Sequence, residues 1–256
     1  MSGEMRIPGF PPKQGLYDPR FEKDSCGIGF VANVKGVKSH DIVRKALQVL
    51  NNLFHRGAQG CDPCTGDGAG ILLQVPHEFF KRACADVDVK LPNAGEYGVG
   101  MISLPPNAAQ RKPCERLFEK VIEEEGARLL GWRDVPVKSG AIGSQARRTE
   151  PAIRQVFIAR DILNEAQFER KLYVIRKRIE NAIRESAIEG REHFYIPSLS
   201  MNTIIYKGLL LPDQITQYFP DLTDTSIVSA LAMIHSRFST NTFPTWPLVS
   251  VRSGKY

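Results

Sequence analysis

Three stretches of the 256-residue chain carry residue types that could do chemistry. The first is Cys26, a thiol that opens the run Cys-Gly-Ile-Gly-Phe-Val-Ala-Asn-Val behind a long arm. Left inside the chain, such a thiol is an ordinary small apolar side chain. Were the Ser25–Cys26 bond cut, the freed α-amine, with an ordinary pKa of about 7.7 to 8.0, would stand beside the thiol and serve as its base. The second stretch is His-Ser-Arg-Phe-Ser-Thr-Asn-Thr-Phe-Pro-Thr-Trp, residues 235–246. Arg237 offers a planar fork of donors suited to a carboxylate, and Ser239, Thr240 and Thr242 offer hydroxyls; the competing reading is a structural ion pair at a strand end. The third is the loop from His55 to Gly70, dense in Gly and Asp. Its Thr-Gly-Asp-Gly-Ala-Gly segment fits neither dinucleotide nor phosphate-loop spacing and reads as a tight turn. Cys61 and Cys64 form a lone CxxC without a second ligand pair, so no metal site is nominated and a redox role has little behind it.

Positioning these groups requires a set of strands and helices. Residues 1–25 are rich in Pro and Gly, show no period and read as an extended arm. From Cys26 an alternating run predicts a buried strand, its glycines leaving room for another backbone or a ligand. Val43, Ala46, Leu47, Leu50 and Phe54 recur at three and four, predicting a helix over 41–54 capped by Ser39 or Asp41. Further strands are expected over 71–75, 97–104, 128–137, 156–162, 199–206 and 226–238. Helices are expected over 77–84, 108–125 and 165–187, with a short helix or turn over 212–218. The helix over 165–187 carries a continuous stripe of Phe168, Leu172, Ile175, Ile179 and Ile183. No repeat or linker interrupts the alternation, which predicts one α+β domain over 26–256 behind the arm.

Composition narrows the partners. Thirty-four Lys and Arg against 28 Asp and Glu give a net charge of +6, spread without a basic run or aromatic interleaving, so the footprint of a nucleic-acid binder is missing. No apolar run approaches the roughly 18 to 20 residues of a membrane span. Five cysteines, an odd number in a chain this long, point to a reducing compartment, with the cytoplasm expected.

In this order, the segments KQGLYDPRFEKDSCGIGFVANVKG, HRGAQGCDPCTGDGAGI and IHSRFSTNTFPTWPL resemble the amino-terminal glutaminase domain of the glutamate synthase large subunit, over Gly15 to Leu248. That family is a class II glutamine amidotransferase with the N-terminal nucleophile hydrolase fold, an α+β four-layer α/β/β/α sandwich. The resemblance implies Cys26 as nucleophile after removal of a propeptide, residues 1–25, and Arg237 as the ligand of the glutamine α-carboxylate with Thr240 beside it. Arg56 and Gly57 match a family loop near the nucleophile and are carried as supporting residues. It further implies glutamine hydrolysis through a thioester, with ammonia passing to a synthase domain that uses FMN and an iron–sulfur cluster on 2-oxoglutarate, and possible pairing with a small electron-transfer subunit. No metal or cofactor is expected on these residues themselves. The family continues past Pro247-Leu248 through an Asn-Gly-Glu motif whose Asn side chain and Gly amide form the oxyanion hole, whereas here VSVRSGKY follows. Weak activity or none is therefore the expectation for this chain alone. Two other classes stay open: a non-catalytic interaction fragment with its pocket blocked by the arm, and a redox or metal module on Cys61 and Cys64.

Overall fold

A computed structural model describes residues 13–15, 26–60, 62–239 and 244–249. Among the described residues, eight strands form two antiparallel sheets. The first contains β1 (Gly27–Ala32), β2 (Ala69–Gln74), β7 (Thr203–Gly208) and β8 (Leu231–Ser236), ordered β1-β8-β2-β7. The second contains β3 (Tyr97–Leu104), β4 (Arg128–Asp134), β5 (Ala152–Ala159) and β6 (Tyr195–Ser200), ordered β4-β5-β3-β6. Helices α1 (His40–Asn52), α2 (His77–Ala85), α3 (Ala108–Glu124), α4 (Ser144–Arg148) and α5 (Glu165–Glu185) pack on this frame. The result is the mixed helix-and-sheet sandwich expected.

The second sheet with α3 and α5 runs β3-α3-β4-β5-α5-β6, a split β-α-β arrangement. Its central strands β3 and β5 bury side chains on both faces because each face is covered. Val156 and Ile158 of β5 join Phe118, Leu172, Ile175 and Ile179 of the two helices. Ile153 and Phe157, one residue out of phase, join the larger core shared with α1, α2 and the first sheet. The predicted stripe of α5 is wholly buried, and its start is a reciprocal capping box between Asn164 and Gln167. Across the larger core a polar lock ties the sheets together. Arg133 of β4 makes two bonds to Asp221, at 2.8 and 2.9 Å, and a third to Gln155, while Tyr206 of β7 bonds both Gln155 and Asp221.

Several expected elements have different bounds. The predicted strand 199–206 is two strands, β6 and β7, broken at Met201-Asn202 and assigned to different sheets. Glu169 of α5 fixes that break by accepting bonds from Ser200, Met201 and Asn202. The strand expected over 156–162 runs over Ala152–Ala159 instead and ends before Asp161, whose φ of +46° cannot continue a strand. Of 226–238 only Leu231–Ser236 is a regular strand, because Asp224 turns the preceding chain by holding the Ser226 amide and hydroxyl. The helix over 41–54 stops at Asn52, leaving Phe54 in a following exposed turn. Ser39 is the residue before it, but makes no capping side-chain bond.

The strand β1 corrects the expectation of burial. Its glycine face is the packed one, and its large residues look outward: Ile28 is 58% and Phe30 69% exposed. Helix α1 comes so close that a Cβ on Gly29 would stand 2.9 Å from the Val49 side chain, so this position leaves no room for a ligand.

Candidate active site

Cys26 immediately precedes β1, and Arg237 immediately follows β8. These strands are paired antiparallel with Gly27 opposite Ser236, so the next step of the register sets Cys26 beside Arg237 at one end of the first sheet. The Cys26 thiol is half-buried and its Sγ lies 3.9 Å from the Phe238 carbonyl. Side chains two residues apart share a sheet face. His235 and Arg237 therefore face the same way, as do Gly70 of β2, which stands opposite His235, and Lys207 of β7, which stands opposite Gly70.

The loop over 55–70 is built around this strand end. Its two arms meet at a bridge between Gln59 and Gly66, and Gly60 donates to the Thr65 carbonyl at 3.1 Å. One arm donates the Ala58 amide to the Arg237 carbonyl at 3.3 Å, and the other accepts the Arg237 amide on the Gly68 carbonyl at 2.8 Å. Arg237 is thus held from both sides through its backbone. Asp67, buried in the loop, accepts the Ser239 amide at 2.6 Å. Gly57 can only be glycine, since a Cβ would stand 2.8 Å from the Ser236 hydroxyl oxygen. The Arg56 Cβ abuts Gly27, the residue after the thiol, at 3.0 Å from the position a Cβ there would take.

The outer end of the loop is anchored by Asp62. Its carboxylate accepts from the Cys64 and Gln145 amides and from the Thr65 and Ser144 hydroxyls, and these bonds, the Cys64 amide first, pull its pKa down to about 2. The tight turn expected at 65–70 lies earlier, closed by the Thr65 amide on the Asp62 carbonyl, and Ala69 and Gly70 already belong to β2. Cys61 lies outside the described residues; Cys64 is exposed and holds Gly143 and Gln214 through its carbonyl rather than its sulfur. Among the described residues no three His, Cys, Asp or Glu side chains are grouped to hold a metal. Burial pushes the Cys84 thiol up to about 12 and that of Cys114 up to about 11, so neither competes with Cys26 as a nucleophile.

Two buried basic side chains, His235 and Lys207, share the field of Arg237. Burial, then the Lys207 and Arg237 charges, push His235 down to about 4, so its ring is neutral near pH 7. Burial, then the charges of Arg176 and Arg237, push Lys207 down to about 7.

The structure brings Cys26, Arg56, Gly57 and Arg237 together; Thr240 lies outside the described residues. Sequence reasoning missed Asp67 and Lys207. The only signal for Lys207 is a single charge inside the otherwise apolar and aromatic run Ile204-Ile205-Tyr206-Lys207-Gly208-Leu209.

The family model of class-II glutamine amidotransferases matches residues 26–252, and the chain belongs to that family. Within it, the chain is similar to glutamate synthases. It is 51% identical to the glutamate synthase [NADPH] large chain of Bacillus subtilis over 238 residues, covering 92% of this chain and 15% of that one. It is 44% identical to the glutamate synthase [NADH] of Saccharomyces cerevisiae, covering 92% of this chain and 11% of that one, and 38% identical to a ferredoxin-dependent glutamate synthase of Arabidopsis thaliana, covering 93% and 15%. The chain therefore spans 15% or less of the length of these relatives.

Proposed function

We propose that this chain is the glutamine-hydrolysing part of a glutamate synthase, with Cys26 as nucleophile and Arg237 as anchor of the substrate α-carboxylate. The observation that supports the reading is the β1–β8 register, whose next step sets Cys26 beside Arg237. Removal of residues 1–25 frees the Cys26 amine; the family match that opens at Cys26 supports this division of the chain. The amine takes the thiol proton, and the thiolate attacks the side-chain amide carbon of glutamine. Collapse of the tetrahedral adduct expels ammonia, carrying the proton returned by the amine, and leaves a thioester. Water activated by the same amine then adds to the thioester, regenerating the thiol and releasing glutamate. Thr240 stands next to Arg237 in sequence as the second contact to the substrate, and Arg56 and Gly57 shape the floor beneath the thiol.

In the larger enzyme the ammonia serves amination of 2-oxoglutarate in a synthase domain carrying FMN and an iron–sulfur cluster, served by a small electron-transfer subunit, in the cytoplasm. No Asn-Gly-Glu triplet occurs in the 256 residues, so these residues alone are expected to turn over about 100- to 1000-fold more slowly than a site with a full oxyanion hole. The test is labelling with 6-diazo-5-oxo-norleucine, a carboxylate-bearing glutamine analogue, followed by peptide mapping and intact mass. Stoichiometric labelling of Cys26 on a chain starting at that residue is expected, and Cys26→Ser takes up none. Labelling of Cys64 in place of Cys26 overturns the assignment.

A further inference from the structure

Lys207 is the buried titratable group that the chemistry above does not use. It is 8% exposed, and among the described residues no carboxylate pairs with it at ion-pair distance. Its Nζ instead donates to the Pro247 carbonyl at 3.4 Å and lies 4.8 Å from the centre of the Tyr195 ring. A carbonyl and a ring face compensate only part of the hydration an ammonium loses on burial, so a lysine here is costly for packing alone. An apolar residue of similar length would be cheaper.

What Lys207 holds leads back to Arg237. Pro247 sits in a turn closed by the Leu248 and Val249 amides, both bonded to the Thr245 carbonyl. Trp246 of that turn covers Gly208, the neighbour of Lys207, and its indole N–H donates to the Ala146 carbonyl at 3.1 Å. Val249 occupies the space over Gly68 that a Cβ would fill. Gly68 in turn holds the Arg237 amide. A continuous path thus runs from Lys207 through the turn to the backbone of Arg237. The charges are coupled as well, since Arg237 depresses Lys207 and both depress His235.

We propose that Lys207 is a positioning residue for substrate binding: it fixes the Thr245–Val249 turn over Gly68, and through Gly68 the backbone of Arg237, so that the site selects a carboxylate-bearing amide. This rests on the glutamine reading above. The test compares two electrophiles on the full chain with its amino terminus at Cys26. One is 6-diazo-5-oxo-norleucine, which carries the α-carboxylate, and the other is iodoacetamide, which carries none. Lys207→Met is expected to slow the first reaction at Cys26 by about tenfold or more, the worth of one charge-assisted contact. The iodoacetamide rate stays within about twofold, and Lys207→Arg restores the analogue rate. If Lys207→Met leaves the analogue rate unchanged, or slows both reagents equally, the positioning role is overturned. A wild-type chain that reacts with iodoacetamide but not with the analogue overturns the glutamine reading and this inference together.

Discussion

At the scale of single residues, the site is a set of backbone clamps around two reactive side chains. From residue type and place alone, Cys26 reads as well as a buried thiol and Arg237 as a structural ion-pair partner; the resemblance of the surrounding segments is what nominates them. Asp67 was not legible, because its bond to Ser239 spans 172 positions and no local pattern announces it. Gly68 illustrates the same point. Its φ of +140° and the Val249 side chain over it exclude any Cβ. Gly68→Ala is therefore expected to cost at least about 1 to 3 kcal/mol and to slow analogue labelling of Cys26, measured by urea unfolding and mass spectrometry. His235 gives a pH signature. Its pKa of about 4 in the fold lies below the ordinary 6.5, so the unfolded chain binds more protons between these values and stability rises with pH across that window. From pH 6.5 down to 4 the protein should lose roughly 3 kcal/mol on this account, and His235→Gln should flatten that part of the curve, read by chemical denaturation at each pH.

At the scale of elements, periodicity located most helices and strands, and failed where partners decide. The glycines of β1 suggested room for a ligand, whereas the room is taken by α1. One predicted strand over 199–206 became two because a side chain from α5 holds the break. The lock of Arg133, Asp221, Gln155 and Tyr206 joins elements far apart in the chain and was likewise invisible. Removing one partner leaves a buried charge, so Arg133→Met or Asp221→Leu should each cost about 3 to 5 kcal/mol, while the double replacement recovers most of it; a thermal double-mutant cycle measures the difference. Asp62 behaves oppositely to His235. Its pKa is depressed, so the contribution of its bonds is whole above the ordinary 3.8 and disappears as pH falls through about 2. Asp62→Asn should loosen the loop already at pH 7, seen as faster amide exchange at Cys64 and Gln145.

At the scale of the whole molecule, the two cores divide the labour. The one between α3, α5 and the second sheet touches neither Cys26 nor Arg237. Ile175→Ala is thus expected to cost about 2 to 5 kcal/mol while leaving the rate of Cys26 alkylation in the folded state within about twofold, measured by thermal melts and iodoacetamide kinetics. The α+β class was readable from the alternation of periods along the chain. The assignment of strands to separate sheets was not, since it depends on pairings between distant segments.

The connectivity of the first sheet has an evolutionary consequence. Gln74 closes β2 directly opposite Thr203 of β7, yet 128 residues lie between them in the chain, and the split β-α-β unit occupies most of that interval. The ends of the detour are therefore already adjacent, as the two ends of a hairpin are. A lineage that keeps Ser144, Gln145 and Ala146, which hold the site loop and Trp246, can lengthen or shorten the rest of the interval without breaking the pairing of β2 with β7. Homologous chains should accordingly tolerate their greatest changes of length between these two strands, and a census of natural insertions along the family is the direct way to see it.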